Sequence, residues 1–149
     1  MKALAYAKTK LLAHDVLGAV FAQARIEHGV KEFPLHNDSL QELFYRFATS
    51  GDFPIVNTFF KFSDDGPIPE SPKLTEAMAR LQLGGLIGRL NPSYELVVVE
   101  DTSVDYYNQV VRDRLEPADV EQIQTLAEAF SSWVQGEAAS EEHLEHNHR

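Results

Sequence analysis

Four side chains of one central segment could bind the phosphate backbone or the base edges of a nucleic acid. Lys73, Arg80 and Gln82 fall in a predicted helix, and Arg89 falls in the strand that follows it. Cationic side chains neutralise phosphates, and a glutamine amide can hydrogen-bond a base. Residues 71–94 carry three basic groups and one acid, a charge of only +2. Because affinity grows with each phosphate neutralised, the sequence favours ordinary solvated positions over nucleic-acid contact.

A second set of side chains lies in the acidic C-terminal third and could contact another protein. It consists of two aspartates and two adjacent tyrosines, namely Asp105, Tyr106, Tyr107 and Asp113. Tyrosines that stack on bases need positive charge beside them, and positive charge is scarce in this region. The four residues are therefore predicted to pack internally or to contact a partner protein.

The remaining patterns do not predict catalysis. The glycine-rich run 84–88 resembles a phosphate loop, but it has no Walker lysine and does not follow a strand, so a helix C-cap explains it. His14, His28 and His36 lack the spacing of metal ligands. No serine stands in a nucleophile-elbow context. We therefore predict no catalytic residue, no metal and no cofactor.

The elements that must position these side chains follow from hydrophobic spacing. Residues 2–28 contain no proline and show helical periodicity, which predicts one long amphipathic helix capped by Gly29. A second helix follows a cap at residues 38–39 and stops at Gly51. Segment 53–62 is aromatic and β-branched without a clear period, so a strand and a short helix both remain open.

The central segment carries the strongest local signals. Ser71 is a typical N-cap, and it precedes a predicted helix over residues 72–84. Residues 86–90 and 95–100 are predicted strands, joined by a turn at residues 91–93. A helix followed by such a hairpin, after two earlier helices, is the order of a winged helix. The wing would be residues 86–100.

Two further helices are predicted beyond the wing. One covers roughly residues 103–114, and the other begins after Glu116 at Pro117. Residues 136–149 form a polar tail that we expect to fray, and its end, LEHNHR, resembles an altered vector-derived histidine tag. The fold prediction is a mainly helical α+β protein. A single domain, residues 1–135, would hold a winged-helix core and two C-terminal helices.

The charge of the chain is strongly one-sided. The net charge is −10, yet residues 1–94 hold ten Lys/Arg and ten Asp/Glu. Residues 95–148 hold two Lys/Arg and thirteen Asp/Glu, or −11, and Arg149 restores the total. Such a surface repels a nucleic-acid duplex and attracts a basic partner protein.

The composition also bears on the cellular compartment. The chain has no cysteine, which excludes disulfides and thiolate metal sites and fits a reducing compartment. Ala22–Ala24 resembles a leader cleavage site, but charged residues interrupt the segment before it. The longest uncharged apolar stretch there, residues 16–24, is too short to cross a bilayer. A cytoplasmic protein without membrane contact is predicted.

Three stretches together resemble a known family. They are LQELFYRF at 40–47, FKF at 60–62 and DGPIPESPKLTEAMARLQLGGLI at 65–87. In this order they resemble the Panacea, or SocA-like antitoxin, winged-helix family. Matching positions are Leu40, Gln41, Leu43, Tyr45, Gly66, Pro67, Leu81, Gly85, Leu86 and Ile87. Asp65 stands where the family usually has tyrosine, and Glu42 stands where it has lysine.

The resemblance implies a winged-helix protein that acts as an antitoxin or adaptor by binding a toxin or a protease. The matched positions belong to the framework, so no functional residue is carried over. The leading hypothesis is a non-catalytic protein-interaction module with a toxin, protease or other basic protein as partner. A phage or mobile element is the candidate source that the resemblance suggests. The alternative is a DNA-binding transcription regulator that uses helix 72–84 and wing 86–100. DNA is disfavoured by the net charge, and a homodimer is a further alternative.

Overall fold

The computed structural model describes residues 11–35, 39–90 and 96–147. Within them the chain is mainly helical and has one three-stranded antiparallel sheet, which confirms the predicted α+β, mainly helical class. In chain order the elements are α1 (Ala13–His28), β1 (Glu32–Pro34), α2 (Ser39–Ser50), α3 (Pro54–Phe59), α4 (Pro72–Leu83), β2 (Ile87–Leu90), β3 (Leu96–Val99), α5 (Asp101–Tyr106), a π-helical turn (Tyr107–Val111), α6 (Arg112–Arg114) and α7 (Pro117–Asn147).

Helix α1 is the central element of the core. It packs against α7, α4 and α5, and almost every residue from Val16 to Ala24 is buried, as expected of a helix covered on several sides. It ends at Gly29, where φ is 70°, a backbone conformation that glycine adopts without strain. The predicted C-cap is confirmed. The helix starts at Ala13 after an extended Leu12, and residues 2–10 of the predicted helix lie outside the described residues.

The sheet has the strand order β1-β3-β2, with both pairs antiparallel. Val97 of β3 is opposite Phe33 of β1 and Arg89 of β2. Val97 and Val99 are buried, and Phe33 joins an aromatic cluster with Phe21 of α1 and Phe130 of α7. The two strands of the predicted hairpin are confirmed, while its turn at residues 91–93 lies outside the described part of the chain.

Segment 53–62, which the sequence left open, contains the helix α3. Its first residue is Pro54, whose fixed φ suits a helix start, and Ile55 and Val56 face the core. The backbone N–H of Ile55 donates to Gln122 Oε1 at 3.0 Å, so a side chain of α7 satisfies one of the free N–H groups of the first turn. The helical alternative was therefore correct.

The C-terminal third forms two helical stretches, as predicted. The first runs through α5, the π-helical turn and α6, so it covers residues 101–114. Helix α7 continues to Asn147, which corrects the expectation that residues from 136 onward form a frayed tail. None of the helices in the described part of the chain is both long enough and apolar enough to cross a bilayer.

Candidate functional site

Helix α4, which carries three of the candidate nucleic-acid contacts, is fixed at its N-terminus by two polar side chains. Ser71 caps it as predicted, with its Oγ accepting from Leu74 N at 3.4 Å. Gln41 of α2 accepts from Ser71 N at 2.8 Å, and its Nε2 lies 3.2 Å from Ser71 O and 3.0 Å from Thr75 Oγ1. Gln41 therefore ties the start of α4 to α2.

The two basic side chains of α4 share one carboxylate. Lys73 Nζ lies 3.7 Å from Glu76 Oε2, and Arg80 Nε lies 3.1 Å from Glu76 Oε1. The hydrogen bond from Arg80 and the charge of Lys73 hold the pKa of Glu76 below its ordinary value. Both cations are more than half exposed, but Glu76 neutralises part of the charge that they would offer to a phosphate.

The four candidate nucleic-acid contacts are divided between two grooves on opposite sides of α4. Lys73 and Arg80 line a groove of about 200 Å³ together with His14. Gln82 and Arg89 line another of about 330 Å³ between α4, α2 and β2. No single groove that the structure describes therefore gathers all four side chains.

The acidic C-terminal stretch is anchored to α1 by the buried carboxylate of Asp15, which is 1% exposed. Asp15 accepts from Leu12 N at 3.1 Å, from Tyr106 Oη at 3.1 Å and from Arg114 Nη1 at 3.2 Å. His14 Nε2 lies 3.6 Å from its Oδ1. Sequence reasoning gave Asp15 no role. Asp15 lies three residues after the N-cap, where an acid can accept a hydrogen bond from the N–H of the cap residue. This spacing could have predicted its role.

The two tyrosines have structural roles. Tyr106 is half-buried. Its pKa is raised chiefly by burial and, to a smaller extent, by the negative charge of Asp15. Tyr107 is only 2% exposed, and its hydroxyl accepts from Gln23 Nε2 at 2.8 Å. The prediction of Tyr107 as a partner contact is therefore wrong, because the π-helical turn directs this side chain into the core rather than to the surface.

The candidate aspartates have the opposite placement, because Asp105 and Asp113 are both exposed. The C-terminal elements expose further acids, and Asp101 pairs with Arg25 of α1. Arg25 also donates to Val99 O at 2.7 Å, which ties the end of β3 to α1. The exposed acids of these elements are Asp101, Asp105, Asp113, Glu116, Glu121 and Glu128. The C-terminal elements therefore expose several acids and are tied to α1 through Asp15 and Arg25.

In the three described ranges, no group of three His, Asp or Glu side chains is arranged to hold a metal ion. Comparisons of the chain with protein-family models, with curated proteins and with solved structures gave no match. The function must therefore be argued from the arrangement of the side chains.

Proposed function

We propose that this chain is a winged-helix protein-interaction module, of the antitoxin or adaptor class, that binds a basic partner protein in the cytoplasm. The observation that carries the proposal is the contrast in charge between two surfaces. On α4 one carboxylate offsets part of the charge of two cations, whereas residues 101–128 expose six acids.

The topology supports the winged-helix part of the proposal. The paired strands β2 and β3 follow helix α1, strand β1 and helices α2 to α4. In the sheet, β3 lies between β1 and β2. In this arrangement α4 is in the position of a recognition helix and β2 with β3 form the wing. The resemblance of residues 40–87 to the Panacea family is consistent with the same order.

The electrostatics support the choice of a basic protein as partner. Asp105 and Asp113 are exposed on a stretch that contacts of Asp15 and Arg25 tie to α1. Complementary charge accelerates association and disfavours partners of the same sign. An acidic surface of this kind favours a protein rich in Lys and Arg and repels DNA.

DNA binding through α4 and the wing is the second candidate. It is favoured by the exposure of Lys73 and Arg80, since exposed ion pairs such as theirs with Glu76 are weak and a phosphate could replace that carboxylate. It predicts that Lys73→Glu or Arg80→Glu lowers duplex affinity steeply and that affinity falls with salt.

The test begins with capture of partners by the full-length chain from extract of its native host. A captured protein is then purified, and its dissociation constant is measured at two salt concentrations. We expect Asp105→Lys combined with Asp113→Lys to weaken binding at least about tenfold, a change of about 1.4 kcal/mol. Asp64→Lys combined with Asp65→Lys makes the same charge change on the exposed loop before α4 and should have little effect. Tight duplex binding without any protein partner would refute the proposal.

A further inference from the structure

A groove runs between α3 and the first turns of α7, at the edge of the acidic surface that includes Glu116 and Glu121. It consists of two adjoining depressions of about 340 Å³ and 440 Å³, and Gln122 lines both. The backbone N–H of Ile55 donates to Gln122 Oε1, so the first turn of α3 contacts α7 where both depressions are lined by Gln122.

Much of the groove lining is apolar. Phe59 and Leu11 line one depression and are half-buried, and Phe53 and the exposed Ala118 line the other. Half-buried aromatic and aliphatic side chains leave apolar surface in contact with water, and an apolar side chain of a partner would remove that surface from water. The lining therefore fits an aliphatic or aromatic anchor.

The rim of the groove determines the charge of the occupant. Asp52, Glu116, Asp119 and Glu121 line the two depressions, and Arg114 is the only base among the lining residues. Arg114 is already engaged, because its Nη1 donates to the buried Asp15. The rim is therefore strongly negative, and it excludes a nucleic acid and an acidic peptide.

We propose that this groove binds a segment of the partner protein in which apolar side chains are flanked by lysines or arginines. The inference rests on the proposed function and deepens it, since it names a docking site on the chain and the chemistry of the partner segment. The apolar lining provides binding surface, and the acidic rim selects basic flanks over neutral or acidic ones.

The first test uses a fluorescein-labelled octapeptide. Two leucines lie in its middle, two lysines lie at each end, and an alanine separates each lysine pair from the leucines. Anisotropy is measured with the full-length chain at low ionic strength. One comparison peptide replaces both leucines with serine, and another replaces the lysines with glutamate. We expect each replacement to weaken binding at least about tenfold. Equal binding of the lysine–leucine and lysine–serine peptides would overturn the proposal, because charge alone would then explain it.

The second test locates the site with matched variants. Glu121 and Glu128 are both exposed on α7 and seven residues apart, so they lie on the same helix face, but only Glu121 lines the groove. Glu121→Lys should weaken binding of the lysine–leucine peptide about tenfold, and Glu128→Lys less than about twofold. Ala118→Trp should block the groove, while Gln124→Trp on the exposed surface of α7 should not. Equal effects within either pair would overturn the proposed site.

The same variants separate this inference from the proposed function. If the captured partner binds through Asp105 and Asp113 and tolerates both Glu121→Lys and Ala118→Trp, the groove proposal fails and the proposed function stands. If the octapeptide binds in the groove but no basic protein binds the chain, the proposed function fails. If Glu121→Lys instead converts a dimer to a monomer in sedimentation, a second copy occupies the groove and the inference is overturned.

Discussion

The surface of α4 and the surface of α5 to α7 use charge in opposite ways. On α4 the cations at positions 73 and 80 flank a single acid at position 76, so most of the charge is paired within one helix. On the C-terminal elements acids greatly outnumber bases, and one of the two bases, Arg114, turns inward to Asp15. The α4 surface therefore carries little net charge, and most of the acid lies on the C-terminal elements.

The difference shows that the packing of an element does not determine its surface charge. Helix α4 packs against β2, which pairs with β3. The side chains of α4 nevertheless carry little net charge, while the C-terminal elements expose several acids. Four substitutions test this difference in charge.

The largest effect is expected from Asp15→Ala. The substitution removes an acceptor of three hydrogen bonds and leaves Arg114 without its partner, so unfolding should become easier by about 3 kcal/mol. Urea denaturation followed by circular dichroism measures the change. Asp105→Ala, which removes an exposed aspartate, should change stability by less than about 0.5 kcal/mol. Similar losses for both variants would show that Asp15 does not anchor the acidic surface.

Gln41→Ala should have the next largest effect, on the α4 side of the comparison. The change leaves Ser71 N without its acceptor at the start of α4, which should destabilise the fold by about 1–2 kcal/mol. Hydrogen exchange should show faster exchange at the first turn of α4 than in the wild type. Gln124→Ala serves as the control, since Gln124 is exposed on α7. Unchanged exchange in α4 would refute the role of Gln41.

Tyr106→Phe should destabilise the fold by about 1 kcal/mol at neutral pH, because the hydroxyl no longer donates to Asp15. The pKa of Tyr106 is raised in the folded state, so its contribution is complete below the unfolded pKa of about 10 and disappears as the pH rises through the folded pKa. Urea midpoints of the two proteins should therefore converge in alkaline solution. A constant difference across that range would contradict the raised pKa.

Glu76→Gln should have the smallest effect on stability and tests the neutrality of α4. It releases Lys73 and Arg80, so affinity for a short duplex should rise and the salt dependence should steepen by about one phosphate contact. Titration of the Glu76 carboxyl by NMR should show a pKa below the ordinary value, and Arg80→Ala should move it upward. Unchanged duplex affinity would indicate that α4 lies outside any nucleic-acid surface.

Several parts of the fold followed from local sequence because their causes are local. Ser71 and Pro72 start α4, and Gly29, which adopts a positive φ, ends α1. The spacing of the apolar residues in α7 predicts a helix in the same local way. The short strand β1 was not predicted, since three residues form a strand only when β3 lies beside them. Helix α3 could not be distinguished from a strand for a related reason. A backbone N–H in its first turn is satisfied by Gln122, which belongs to a helix distant in the sequence.

The candidate site was predictable in composition but not in geometry. Asp105 and Asp113 are exposed, and their contact role stays a prediction. Adjacent Tyr106 and Tyr107 have different environments because successive helical positions face different directions. The groove between α3 and α7 joins residues near 52–59 with residues near 116–125, and no sequence pattern connects those segments.

Composition and residue spacing were sufficient to predict the helical class, the caps at Ser71 and Gly29 and the concentration of acid in the C-terminal third, because these are properties of the chain itself. Which charges are exposed and which are buried depends on the packing of distant elements. Burial of Asp15 and Tyr107, and the pairing of Arg114 with Asp15, depend on α1 packing against elements more than eighty residues away in the chain.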